Sequence, residues 1–163
     1  MKALQNILFG VAIREVVGST NLNISSIQID SRKVEAGTLF VAIKGVQADG
    51  HSFIQTAIEK GATVIVCEVL PAALQEGITY IAVANSNQAV AIMAHQFYGA
   101  PSTKLKMVGV TGTNGKTTVA TLLFKLFNEL GYTCGLISTV ENHIGSKIVP
   151  TTHTTPDAIQ LNA

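Results

Sequence analysis

The stretch VGVTGTNGKTTVATLLF, residues 108–124, restricts the possible folds more than any other. An apolar run runs into a glycine-punctuated turn that ends Gly115-Lys116-Thr117-Thr118, and a helix-like pattern follows at once. A strand, a tight turn and a helix in that order belong to the βα units from which parallel sheets are built. Successive backbone N–H groups of such a turn converge on an anion at the positive end of the helix. Glycines at 112 and 115 admit a close approach that a side chain would obstruct. Lys116 is placed to neutralise phosphate charge, and the Thr117 hydroxyl to ligate Mg²⁺ beside it. The strict GxxxxGK[ST] spacing is not met, because Val110 stands at its first glycine position.

Apolar periodicity elsewhere predicts strands at 24–29, 38–43, 62–67 and 78–83, with helices at 51–60 and 86–98. The opening MKALQNILFGVAIREVVG reads as a short amphipathic helix; Arg14 and Glu15 interrupt it, and no signal-peptide cleavage site follows. Gly99-Ala100-Pro101-Ser102-Thr103-Lys104 is rich in turn formers and marks a domain boundary. Beyond it the pattern restarts as strand 106–111, helix 117–130 and strand 133–138, with a hairpin or loop over 143–149. The stripe Val119, Leu122, Leu123, Leu126, Leu130 is expected to be core packing. Thr155, Pro156 and Asp157 form a strong helix start close to the last residue, from which the chain is expected to be cut short. The fold class is therefore α/β: a small mixed-sheet domain over 1–100, then the start of a parallel-sheet P-loop domain over 101–163.

A formal net charge of +1 with 47% apolar residues gives no basic face for nucleic acid or a membrane surface, so the partners expected are small molecules. No run is long enough to span a bilayer, and the expected location is the cytoplasm. Cys67 and Cys134 lie in separate apolar runs and read as buried free thiols. The four histidines show no metal-ligand spacing. Glu141, after the run LISTV, is the one carboxylate placed to assist a metal, against the alternative of a solvated loop charge.

The form VTGTNGKTT, lacking the first glycine, resembles the ATP turn of the Mur ligases, the amide-forming enzymes of the peptidoglycan stem peptide, and of their folylpolyglutamate synthetase relatives. IDSRKVEAGTLFVAIKG (29–45) and ADGHSFI (48–54) look like the family's uridine-nucleotide domain. PTTHTTPDA (150–158) resembles the branch that adds the third stem-peptide residue; the sister branch, which carries an Asn-rich segment there, is the runner-up. The resemblance implies ATP and Mg²⁺ as cofactors. It implies UDP-MurNAc-L-Ala-D-Glu and an amino acid, diaminopimelate or lysine, as substrates, joined through an acyl phosphate. Diaminopimelate is the commoner of the two.

Carried over by position, Gly112, Thr113, Asn114, Gly115, Lys116, Thr117 and Thr118 would bind ATP, with Lys116 catalytic and Thr117 on the metal. Ile29, Ser31, Val46, Gln47 and Ala48 would hold the uridine nucleotide, with Arg32 adding charge. His153, Thr154 and Thr155 would meet the muramoyl peptide; His153 departs from the Asn often found there, and Ser138 from a common glycine. Read without the resemblance, Asp30-Ser31-Arg32 and Asp49-Gly50 are also plain capped turns, and Thr155 a helix cap. Three functions stay in play: an amide ligase whose 163-residue piece is inactive alone, a non-catalytic UDP-sugar-binding fragment, and an unrelated P-loop NTPase, for which no Walker B strand is visible.

Overall fold

The computed structural model describes residues 1–45, 48–149 and 156–163. In chain order the regular elements are β1 (Lys2–Ala3), α1 (Leu4–Ile7), β2 (Ile13–Val17), β3 (Asn23–Ile24), β4 (Ser26–Gln28), β5 (Thr38–Val41), α2 (Ile54–Glu59), β6 (Ala62–Cys67), β7 (Thr79–Val83) and α3 (Ser86–Phe97). There follow α4 (Lys116–Glu129), β8 (Gly135–Ile137), β9 (Asn142–Ile144), β10 (Lys147–Val149) and α5 (Ala158–Asn162).

A five-stranded sheet in the order β2-β7-β6-β5-β4 organises the first hundred residues. β4, β5, β6 and β7 are mutually parallel, and β2 closes one edge antiparallel to β7. Both faces are covered, so the inner strands are largely apolar on both faces rather than at alternate positions. Leu39, Val41, Val64, Val66, Ile81 and Val83 face α1 and α3, whereas Phe40, Ala42, Ile65, Cys67 and Tyr80 face α2 and Val34. α3 starts on a side-chain cap, the Asn85 carboxamide accepting from the Gln88 N–H at 2.8 Å.

Three expectations need correction here. The amphipathic helix at the N-terminus is only the four-residue α1, and Ile13–Val17 is an edge strand. Val17 and Ile78 add to the core from its margin, and pairing with β7 supplies the hydrogen bonds that a short helix could not. The single strand expected at 24–29 is two. β3 pairs with β1 and β4 with β5, and the chain switches partner at Ser25, whose N–H donates to the Gly37 carbonyl and whose hydroxyl donates to that of Ala36.

The third correction concerns the second unit. Residues 106–111 are not in a ladder, and β8, β9 and β10 form an antiparallel meander instead of a parallel sheet. An extended segment becomes a strand only by hydrogen-bonding a neighbour, and β8 is paired with β9. The helix expected at 117–130 is present as α4 and packs on β8, and Phe124 lies 5.0 Å from the His143 ring of β9. The expected core stripe is not buried: Val119, Leu122, Leu126 and Leu130 are exposed, Leu122 by 60%. α5 packs against α3, with Ala158 and Ile159 on the apolar cluster that α1 and α3 share.

Candidate functional site

The first group of candidate residues lies where the parallel strands end. Ile29, Asp30 and Ser31 follow β4; Ala42 to Asp49 follow β5; Glu68 follows β6; Asn85 and Ser86 follow β7. In an open α/β sheet this carboxyl edge is where ligands bind. Ile29 packs on the core, and Ser31 is 8% exposed at the start of a 3-10 turn over Ser31–Lys33. The Ser31 hydroxyl makes no hydrogen bond among the described residues. Arg32 does not contribute free charge: its Nε and Nη2 donate to both carboxylate oxygens of Asp30 at 2.9 Å. These bonds, joined by the Arg32 backbone N–H, hold the Asp30 carboxyl down at about 2.

After β5 the chain makes a hairpin. Lys44 and Asp49 bridge antiparallel, the Gly45 N–H donates to the Ala48 carbonyl at 3.0 Å, and the Gly50 N–H donates to that of Ile43 at 2.8 Å. Gly50 is required by space, since a Cβ there would sit 2.6 Å from the backbone N and O of Ile43. Ala48 is thereby held against Gly45. Val46 and Gln47 lie outside the described residues, as do His153, Thr154 and Thr155.

His51, which showed no ligand spacing in the sequence, turns out to be a junction. Its Nε2 accepts the Glu68 backbone N–H at 2.9 Å, so the ring proton is on Nδ1 and is donated to the Asp49 carboxylate at 2.6 Å. Asp49 also accepts the His51 backbone N–H, and these two bonds, the backbone one foremost, lower its pKa. The Glu68 carboxylate accepts from the Ser86 N–H and hydroxyl at 2.9 and 2.8 Å, which lowers its pKa in turn. Beside this network Lys44, His51, Gln55, Glu68 and Tyr80 line a cavity of about 430 Å³. The signal in the sequence was the Asp-Gly-His spacing; its long-range partner, Glu68, carried none.

The second group is the turn before α4. Gly115 has φ 78°, the left-handed region open to glycine, and stands where the helix begins. The first intrahelical bond runs from the Val119 N–H to the Gly115 carbonyl at 2.9 Å. The N–H groups of Lys116, Thr117 and Thr118 therefore precede the ladder, and no side chain caps this end. Residues 112–116 are exposed. The Lys116 ammonium folds back over the turn and donates to the carbonyls of Gly112 at 2.6 Å and Thr113 at 3.2 Å. Phosphate oxygens offer it better acceptors in the same place, so this turn suits a nucleotide's phosphates.

Among the described residues no group of three or more His, Cys, Asp or Glu side chains could hold a metal. Mg²⁺ keeps most of its waters and takes the remaining ligands from phosphates, so one hydroxyl at Thr117 fits a cation carried by the nucleotide. Glu141 is engaged elsewhere, 2.8 Å from Nε2 of His143. Ser138 ties up the same loop, accepting the Val140 and Glu141 N–H groups and donating to the Glu141 carbonyl. No hydrogen bond among the described residues joins the 112–118 turn to the carboxyl edge of the first sheet. Both cysteines are free; burial pushes the Cys67 thiol up to about 11, which makes it inert. No helix among the described residues is long and apolar enough to cross a membrane.

Comparison with known proteins assigns the chain to a family. Residues 23–98 match the model of the Mur ligase family, catalytic domain, and residues 110–163 match the Mur ligase middle domain. The chain belongs to the Mur ligase family. Relatives from Phocaeicola vulgatus and Bacteroides fragilis, each named UDP-N-acetylmuramoyl-L-alanyl-D-glutamate--2,6-diaminopimelate ligase, are 54% and 55% identical over 98% of this chain. The chain spans about a third of the length of these curated relatives, 33% in both cases. A solved structure of a ligase of that same name superposes over 99% of this chain and 32% of its own, with TM-score 0.75 and 26% identity. A MurF structure from Acinetobacter baumannii matches 79% of this chain and 28% of its own, with TM-score 0.60 and 25% identity.

Proposed function

We propose that this chain is the substrate-tethering and phosphate-binding portion of a cytoplasmic, ATP-dependent amide ligase of peptidoglycan precursor synthesis. The reaction joins the amine of 2,6-diaminopimelate to the glutamate carboxylate of UDP-MurNAc-L-Ala-D-Glu. The observation that carries this reading is the uncapped, glycine-initiated α4 turn in a chain aligned over 98% of its length with relatives of that printed name.

In the first step a carboxylate oxygen of the UDP-linked substrate forms a bond to the γ-phosphorus of ATP, and the bond from that phosphorus to the bridging oxygen of ADP breaks. The amine then forms the C–N bond, inorganic phosphate leaves, and the amine loses a proton. Lys116 and the N–H groups of Lys116–Thr118 offset the charge that builds on the transferring phosphoryl group. Thr117 would hold Mg²⁺, which when bound supplies further charge neutralisation across the phosphates. Ile29, Ser31, Val46, Gln47 and Ala48 would hold the uridine diphosphate, and His153, Thr154 and Thr155 the muramoyl peptide. The division of labour between residues 1–100 and 101–163 is part of this proposal. So is the absence of turnover by the 163-residue chain on its own.

Calorimetric titration of this chain with UDP-MurNAc-L-Ala-D-Glu, and separately with Mg-ATP, tests the reading. Ser31→Ala is expected to weaken the first ligand only. Lys116→Ala should weaken the second by about 10- to 100-fold, the worth of a charge-assisted hydrogen bond. Tight ATP binding with no response to the UDP compound would overturn the assignment in favour of an ordinary nucleotide-binding protein.

A further inference from the structure

Arg32 stands next to Ser31 and carries the kind of charge that a diphosphate attracts, yet its guanidinium is already engaged. Its Nε and Nη2 donate to the two carboxylate oxygens of Asp30, and its backbone N–H donates to one of them at 3.0 Å. The Arg32 carbonyl is held as well, by the Lys60 ammonium at 3.1 Å. Lys60 follows α2 in a turn that abuts the same stretch of chain. There the Gly37 N–H donates to the Gly61 carbonyl at 3.0 Å, and a Cβ on Gly61 would come within 2.9 Å of the Ala36 Cα. The Lys33 N–H closes the 3-10 turn on the Asp30 carbonyl at 3.0 Å. Its flanks are sunk in separate apolar clusters, Ile29 on one side of the sheet and Val34 on the other. Ser31 lies inside this frame, buried, with a hydroxyl that makes no hydrogen bond among the described residues.

We propose that Asp30, Arg32 and Lys60 are positioning residues for Ser31: they fix the turn from which its hydroxyl meets the uridine nucleotide, and the Arg32 guanidinium does not itself bind the phosphates. The proposal rests on the reading of Ser31 as a nucleotide contact. The two-point bond to Asp30 uses one forked edge of the guanidinium, the geometry in which arginine takes a carboxylate or a phosphate. The pair has no net charge, so it offers a diphosphate little attraction. A binding turn that is competent only part of the time weakens affinity by that fraction. Ser31 has no side-chain bond to hold it in place, and its neighbours supply the constraint from the N–H, side-chain and carbonyl groups of Arg32.

The test is a double-mutant cycle read by calorimetric affinity for UDP-MurNAc-L-Ala-D-Glu near neutral pH. Asp30→Ala and Arg32→Ala should each weaken binding about two- to fivefold, the range for an exposed ion pair. The double variant should bind no more weakly than the weaker single one, because both changes remove the same constraint. Lys60→Met should weaken binding by about the same factor, and Lys60→Arg, which keeps a donor for the Arg32 carbonyl, should bind like the wild type. Mg-ATP affinity should not change in any of these chains. A phosphate-binding Arg32 gives the opposite pattern, since removing Asp30 frees its guanidinium. An Asp30→Ala chain that binds the UDP compound as tightly as the wild type or more tightly, single losses that add in the double variant, or a Lys60→Met chain with wild-type affinity would overturn the proposal. Hydrogen exchange of the Lys33 amide without ligand keeps the two readings apart. If that exchange quickens in the Asp30→Ala chain while the wild-type chain binds no UDP compound, the frame around Ser31 stands and the nucleotide reading falls.

Discussion

The first sheet and the stripe along α4 both carry large apolar side chains and reach opposite ends of the burial range. Leu39, Phe40, Val64, Ile65 and Ile81 are fully buried, whereas Leu122, Leu126 and Leu130 on α4 are exposed by more than half. In the first case two helical layers close over a sheet of five strands. In the second, α4 has a three-stranded antiparallel meander on one side. An amphipathic stripe specifies that a face can be buried; burial itself takes a second surface.

That contrast can be broken or sharpened by substitution. Phe40→Ala should cost the first sheet about 3–5 kcal/mol, the loss of a fully buried aromatic and the cavity left behind. Urea unfolding followed by circular dichroism would measure it, and a cost below that of a surface change would refute the burial assigned to this position. Gly50→Ala comes next. Its new Cβ meets backbone atoms of Ile43 at 2.6 Å, so the hairpin must shift, at about 1–3 kcal/mol by the same measurement.

Asp30→Asn should be smaller, under about 1 kcal/mol, because Arg32 is 86% exposed and solvent screens the pair. Its sign is set by pH. The folded carboxyl titrates near 2, below the roughly 3.9 of an unfolded chain, so the stabilisation is present above about pH 4 and is lost as pH falls toward 2. Wild-type and Asp30→Asn chains should therefore differ in thermal midpoint at neutral pH and converge in acid. A gap that persists at the lowest pH would assign the effect to something other than charge. The smallest effect belongs to Leu126→Ala, within about 0.5 kcal/mol, as for an exposed residue. A larger loss would mean that α4 is covered in solution.

The strands at 38–43, 62–67 and 78–83 were legible because doubly covered strands are continuous apolar runs bounded by turn residues, and the structure places β5, β6 and β7 within them. Ile13–Val17 was not legible: on an exposed edge its side chains alternate with nothing buried, and Arg14 and Glu15 break the apolar run. The glycine at the turn before α4 was legible, because the left-handed backbone at Gly115 suits glycine and depends only on near neighbours. His51 was only half legible. Its bond to Asp49 is two residues away in sequence, but its bond to Glu68 spans seventeen, and no spacing rule reaches that far.

Local chemistry thus belonged to the sequence: which runs are apolar, where glycine must turn the chain, and which caps begin a helix, since each depends on neighbours within a few residues. Which apolar faces found a partner, which strands paired and in what direction, and that the Glu68 carboxylate is committed to Ser86 were decided in three dimensions. Hydrophobic burial and hydrogen bonding both need a second surface or a second group, and the fold brings those from distant parts of the chain.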